Sequence, residues 1–282
     1  MSVTFFRPLA ALLICLTSLL PAGYAQAGPL EVGILPNVSA RVLMQQYQPM
    51  QTYLDTRLER KTAFSSAPDW SSFYQRAGEG RYDVIVAASN VARLIQKNFG
   101  YQPSLSYQPD VPGLFVTLAT QQETSPQKII AGQTLAFANP ASLVAIEGLA
   151  WLKTLGIETD KNLSTLRVKG EDSVGNILLR GDAVAGIMSM GEFMSHPEDI
   201  RKQLKIHTRF KDVPSFVVMT SPKLSAVERD ALTRDLLFFA QSTPEGVEFF
   251  KRTGFKGIVP VDEAKLRALD QFNEATREAL LR

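Results

Sequence analysis

The chain has 282 residues, 45% of them hydrophobic, and its 30 Lys and Arg against 28 Asp and Glu leave a net charge of +2. That is apolar material for a substantial core in one or two domains. Balanced charge without a block of one sign gives no indication of a basic face, so neither nucleic acid nor an anionic membrane surface is expected as a partner.

The first 27 residues have the three parts of a secretory signal peptide. Arg7 supplies the positive start, Pro8 to Leu20 is mostly apolar, and Ala25-Gln26-Ala27 offers small residues for cleavage before Gly28. The apolar run is short for a bilayer span. The single cysteine, Cys15, lies inside this leader behind Ile14, which does not suit lipid attachment. The mature chain, residues 28–282, is then thiol-free and expected to fold on its core alone in the periplasm.

LEVGIL (Leu30 to Leu35) predicts a strand, and Ser39 caps a helix to about Arg60 that carries Pro49 inside it. Thr62 to Ser66 predicts a second strand. Asp69 caps a helix from Trp70 to Ala77, whose Trp70, Phe73 and Tyr74 are spaced for core packing. YDVIVA (Tyr82 to Ala87) reads as a buried strand, followed by a helix from Asn90 to Lys97 and a loop-rich segment holding Tyr101 and Tyr107. LFVTLAT (Leu114 to Thr120) is a strand. Gln133 to Ala138 is another, and it runs into FANPASLVAIEG, where Asn139 reads as N-cap and Pro140 as the first helical residue of a helix ending at Gly156. Thr165 to Val168, Ala183 to Ser189, Lys205 to Phe210 and Phe216 to Thr220 are strands, with a helix from Ser173 to Leu179. From Ser225 onward the pattern is helical, broken at Thr243-Pro244 and at Gly254 to Pro260.

This alternation predicts an α/β fold of two lobes, each a mainly parallel sheet flanked by helices. Residues 28–118 and 214–282 form the first lobe and 119–213 the second, and LFVTLAT and FVVMT are the crossover strands of a hinge. Ligands of open α/β sheets sit at the carboxyl ends of strands, against helix N-termini. That rule selects Asn37 and Ser39, Ser89 and Asn90, Asn139, Ala141, Ser142 and Leu143, Asp172 and Ser173, and Ser189 as ligand-binding candidates. Each alone reads first as an ordinary cap or turn, and it is their common location at strand ends that points to a ligand. Catalysis finds little support. His196 and His207, the only histidines, lie in polar stretches that read as surface, and there is no metal-ligand spacing and no Gly-rich phosphate loop. No enzyme activity, metal or cofactor is expected.

The segments LEVGILPN, YQPMQTYL, PDWSSFYQRAGEGRYDVIVAASN, QTLAFANPAS, LGI and VKGEDSVGNILLRGDAVAGIM follow one another across most of the mature chain. In that order they resemble the periplasmic phosphate/phosphite/phosphonate-binding proteins of ABC transporters. The resemblance implies the two-lobed periplasmic binding protein fold, closure on a small, oxyanionic solute, and delivery to a membrane permease by a monomer. A receptor presenting its closed form to a membrane histidine kinase is the alternative, and a periplasmic enzyme a more distant one. The family places Ser-Thr-Ser-Gly at the start of the second-lobe helix and a His near Asp172. Here Ser142 is followed by Leu143, Val144 and Ala145, and that His is absent, which implies weak phosphonate binding.

Overall fold

The alternating pattern builds two mixed sheets in the computed structural model, which describes residues 28–58, 60–137, 139–158, 161–167 and 174–281 together with Met1. The leader, apart from Met1, lies outside them. In the first half, β1 (Leu30–Ile34), β2 (Thr62–Ser65) and β3 (Val84–Ala88) alternate with α1 (Ala40–Arg57), α2 (Trp70–Gly78) and α3 (Ser89–Phe99). Then come β4 (Gln102–Gln108) and β5 (Val111–Leu118). The middle contains α4 (Pro126–Ile130), β6 (Thr134–Phe137), α5 (Leu143–Thr154), β7 (Ser164–Arg167), α6 (Val174–Arg180), β8 (Ala185–Ser189), α7 (Met190–Ser195), α8 (Glu198–Arg201) and β9 (Leu204–Val213). The chain ends with β10 (Phe216–Thr220), α9 (Ala226–Ser242), α10 (Pro244–Arg252), β11 (Gly257–Pro260), α11 (Glu263–Arg267), a 3-10 turn (Ala268–Phe272) and α12 (Asn273–Leu281).

The first sheet has the order β11-β4-β10-β3-β1-β2 and the second β7-β6-β8-β5-β9. The parallel ladders are β2-β1-β3 and β7-β6-β8, and the strands added beside them run antiparallel. Side-chain alternation assigns the faces. In β3, Val84 and Val86 pack with Leu43 and Tyr47 of α1 and Leu232 of α9, whereas Ile85 and Ala87 pack with Phe73 of α2 and Ile95 of α3. In the second sheet, Phe115 and Ile187 pack with Leu152 of α5, whereas Leu114, Val116 and Met188 pack with Val174 and Leu178 of α6. Each fully buried Phe or Leu of this kind contributes about 1.5–3 kcal/mol. One continuous core therefore joins the α2/α3 side of the first sheet to the α5 side of the second.

Three elements differ from expectation. LFVTLAT does not carry the chain between sheets: β5 pairs with β8 and β9 along its length, inside the second sheet. The two sheets are joined instead by short links, Pro109-Asp110 between β4 and β5 and Pro214-Ser215 between β9 and β10. β4 was expected as loop because QPSLSYQ mixes Pro and Ser into its apolar positions. Its proline, Pro103, sits where the register with β10 shifts, the place where a strand tolerates a missing N–H. β11 is an edge strand of four residues inside the expected helix break, too short to leave a period. The tyrosines of the supposed loop are core residues. Tyr107 is wholly buried with its hydroxyl 3.2 Å from that of Tyr47, and Tyr101 donates to the Tyr82 carbonyl at 2.7 Å. Burial pushes Tyr47 up to about 12.

Candidate functional site

The carboxyl ends of β1 and β3 are neighbours in the first sheet, and α1 and α3 start there. A helix start leaves its first N–H groups without intrahelical partners, and other helices here close that end with a side chain. Asp69 accepts from Ser72 N–H at 2.7 Å, Ser142 from Ala145 N–H at 3.0 Å, Ser225 from Glu228 N–H at 3.3 Å and Thr243 from Gly246 N–H at 3.0 Å. At α1 and α3 no side chain caps the end: Ser39 makes no capping bond, and the residue before α3 is Ala88. Neither first turn holds an acidic residue. Arg41 places an exposed cation in the first turn of α1, where the helix dipole favours an anion. Asn37 stands half-buried in the preceding turn with its N–H on the Leu35 carbonyl (2.9 Å), and Trp70 Nε1 holds the Pro36 carbonyl at 3.1 Å. This corner is a positively polarised helix start with an exposed cation beside it.

In the second lobe, Asn139 is not the N-cap. Its Oδ1 accepts from Ala141 N–H (2.8 Å) and its carbonyl from Ser142 N–H (3.0 Å), a local turn that competes with helix and delays the start until Leu143. Ser142 is the cap. Ser142→Ala is expected to lower stability by about 1 kcal/mol, read as a denaturation midpoint; an unchanged midpoint would mean that the cap contributes nothing. Leu143 is buried in the shared core, so its backbone N–H is what it has to offer a ligand.

Asn90 and Ala141 meet directly. Asn90 Nδ2 donates to the Ala141 carbonyl at 2.7 Å and to Thr276 Oγ1 of α12 at 2.9 Å. Asn90 is 1% exposed and Ala141 0%, so the ends of α3 and α5 touch here rather than face an open gap. Ser89 Oγ donates to the Pro214 carbonyl (2.7 Å) at the second link between sheets. Ser189 forms a capping box with Glu192, accepting from its N–H at 3.0 Å while Glu192 Oε2 accepts from Ser189 N–H. Asp172 and Ser173 lie outside the described residues. Of the described candidates, Ser89, Asn90, Ala141 and Leu143 are buried, Asn37, Asn139, Ser142 and Ser189 are half-buried, and Ser39 is exposed beside the exposed Arg41. Arg41 escaped the sequence reading although it had a signal, a cation two residues after the cap position. Thr276 had none, being 186 residues from Asn90.

The histidine expectations change. His196 is not on the surface: it is 2% exposed, with its ring against Gly175 of α6. His207 is half-buried, with Nδ1 3.1 Å from Thr208 Oγ1 and its ring edge-on to Phe115. Among the described residues no three His, Cys, Asp or Glu side chains gather into a metal site, and no helix is long and apolar enough to cross a membrane. A groove of about 250 Å³ lies beside the carboxyl-terminal half of α5, lined by Leu149, Lys153, Ile157 and Glu158, at the opposite end from Ser142.

Two sheets joined by two short links, with helix N-termini meeting between them, are the geometry of a hinged receptor. Residues 32–266 match the family described as ABC transporter, phosphonate, periplasmic substrate-binding protein. The chain belongs to that family. Solved structures place this phosphonate-binding-type protein among two-lobed binding proteins at low identity. The binding component of a phosphonate ABC transporter from Pseudomonas aeruginosa has a TM-score of 0.76 at 15% identity, over 90% of this chain and 89% of that one. PhnD1 of Prochlorococcus marinus, solved in complex with methylphosphonate, has 0.73 at 12%, over 88% and 97%. A Xanthomonas citri protein solved with ATP bound has 0.72 at 20%, over 90% and 98%. Among curated proteins, none matches this phosphonate-binding-type chain.

Proposed function

We propose that the protein is the periplasmic solute-binding component of an ABC importer, that it closes two lobes on a small oxyanion, and that it hands this solute to a membrane permease as a monomer. Its leader is removed after Ala27, and residues 119–213 with β5 form the lobe that moves against the rest. It is a carrier and not an enzyme. The carrying observation is the exposed start of α1, at the carboxyl end of β1, without a side-chain cap and beside Arg41. Free amides and a dipole at a helix start favour an anion. The solute contacts are drawn from Asn37, Ser39 and Arg41 on the first lobe and Ser142 and Ser189 on the second, with Asp172 and Ser173 as further contacts.

Phosphonates are expected to bind weakly. Anionic oxygens need many donors when taken from water, and the α5 end supplies one hydroxyl, Ser142, beside the apolar Leu143 and Val144. Native mass spectrometry of the protein purified from its own periplasm tests the reading. The expected spectrum carries one small anionic solute per chain, released on denaturation. A neutral or cationic co-purifying solute would overturn the oxyanion assignment.

A further inference from the structure

The C-terminal segment Glu263–Leu281 lies where neither sheet needs it. It begins against the first link between the sheets, where Lys265 Nζ meets Asp110 Oδ2 at 2.5 Å. It is then fixed to the first lobe: Arg93 of α3 grips Asp270 with two bonds, 2.7 and 3.0 Å, and Lys97 stands 3.6 Å from the same carboxylate. This pairing holds the Asp270 carboxyl well below the usual carboxylate range. From that anchor α12 passes over α2 and α3 and reaches α5 of the second lobe. Thr276, 0% exposed, accepts from the same Asn90 amide that donates to the Ala141 carbonyl of the second lobe. Leu280 is buried in the core that both lobes share.

We propose that the segment from Glu263 to Leu281 is a strap that holds the two lobes closed, rooted on α3 and on the first link and acting on the second lobe through α5 and the Asn90 amide. Opening must break Asn90–Ala141 and either peel α12 from α5 or lift it from α3. Residues that touch no solute therefore set the balance between open and closed forms, and with it the affinity. The inference rests on the reading of the fold as a closing receptor and not on the identity of the solute.

The test is made without solute. Spin labels are attached to cysteines introduced at the exposed Gln48, on α1, and Lys202, after α8, with Cys15 replaced by serine. Interlabel distances are measured for the parent, Thr276→Val, Thr276→Ser and Asp270→Ala. Thr276 Oγ1 orients the Asn90 amide toward the Ala141 carbonyl, so its removal in Thr276→Val is expected to weaken that bond between the lobes and raise the open-to-closed ratio by up to about fivefold, the scale of one net hydrogen bond. Asp270→Ala should move in the same direction, and Thr276→Ser, which keeps the hydroxyl, should match the parent. Because Asp270 is on the surface, its variant folds even where Thr276→Val does not. Distances unchanged in Asp270→Ala overturn the strap, and Thr276→Ser opening as far as Thr276→Val overturns the role of the hydroxyl. Failure of every oxyanion to bind leaves these distances readable, so the two readings fail separately.

Discussion

Asn90→Asp should destabilise the protein by about 3 kcal/mol at neutral pH, the scale of an uncompensated buried charge. Asn90 is 1% exposed, and its Nδ2 donates to two acceptors, the Ala141 carbonyl and Thr276 Oγ1. A carboxylate of the same shape has no proton for the carbonyl 2.7 Å away, and it loses its hydration as well. Its folded pKa must therefore rise above the unfolded value of about 3.9. The sign follows: the variant's deficit relative to wild type is small below pH ~4, where both states are protonated, and grows as pH rises toward the folded pKa. Urea denaturation of both proteins at pH 4 and pH 7 measures it. A deficit equal at the two pH values would show that Asn90 acts by shape alone.

Gly246→Ala is expected to cost about 3 kcal/mol or more, against the ordinary gain from replacing glycine in a helix. Gly246 lies in the first turn of α10, where its N–H donates to Thr243 Oγ1. A Cβ there would stand 1.8 Å from the Phe239 carbonyl oxygen and 2.6 Å from its carbon, both backbone atoms of α9. No rotamer relieves that contact, so α9 and α10 must separate. Their interface buries Phe239 and Phe249, whose rings lie 6.0 Å apart. A melting temperature within a degree of wild type would mean that α10 moves freely, and that the core beneath Tyr47 and Tyr107 does not depend on its placement.

What could be read from the sequence was decided by how much physics is local. YDVIVA and FVVMT declared themselves because both of their faces are buried, and Asp69 and Ser225 mark helix starts by chemistry that acts over three residues. The alternation of strands and helices sufficed for two sheets. The sheet to which LFVTLAT belongs was not legible, since its partners β8 and β9 lie far along the chain and no residue of β5 names them. QPSLSYQ was hidden because tertiary pairing with β10 and β11 outweighs its poor strand composition. At the site, the loops at strand ends were legible as a class, but their bonding was not. Asn139 and Ser142 are both good caps, and only the backbone turn through Ala141 selects Ser142. Asn90 was found, yet the partners that make it a junction, Ala141 and Thr276, could not be inferred from its neighbours.

The uncapped, exposed start of α1 is expected to receive a small oxyanion between the lobes. Titration calorimetry with methylphosphonate, phosphite, phosphate and methanesulfonate, repeated with Arg41→Ala, tests it most directly. Saturable one-site binding of at least one of these anions is expected with a Kd above about 1 µM, equivalent to a binding free energy weaker than about −8 kcal/mol, together with a clear loss of affinity in Arg41→Ala. Absence of heat for all four anions at millimolar concentration, or binding that Arg41→Ala leaves untouched, would contradict it.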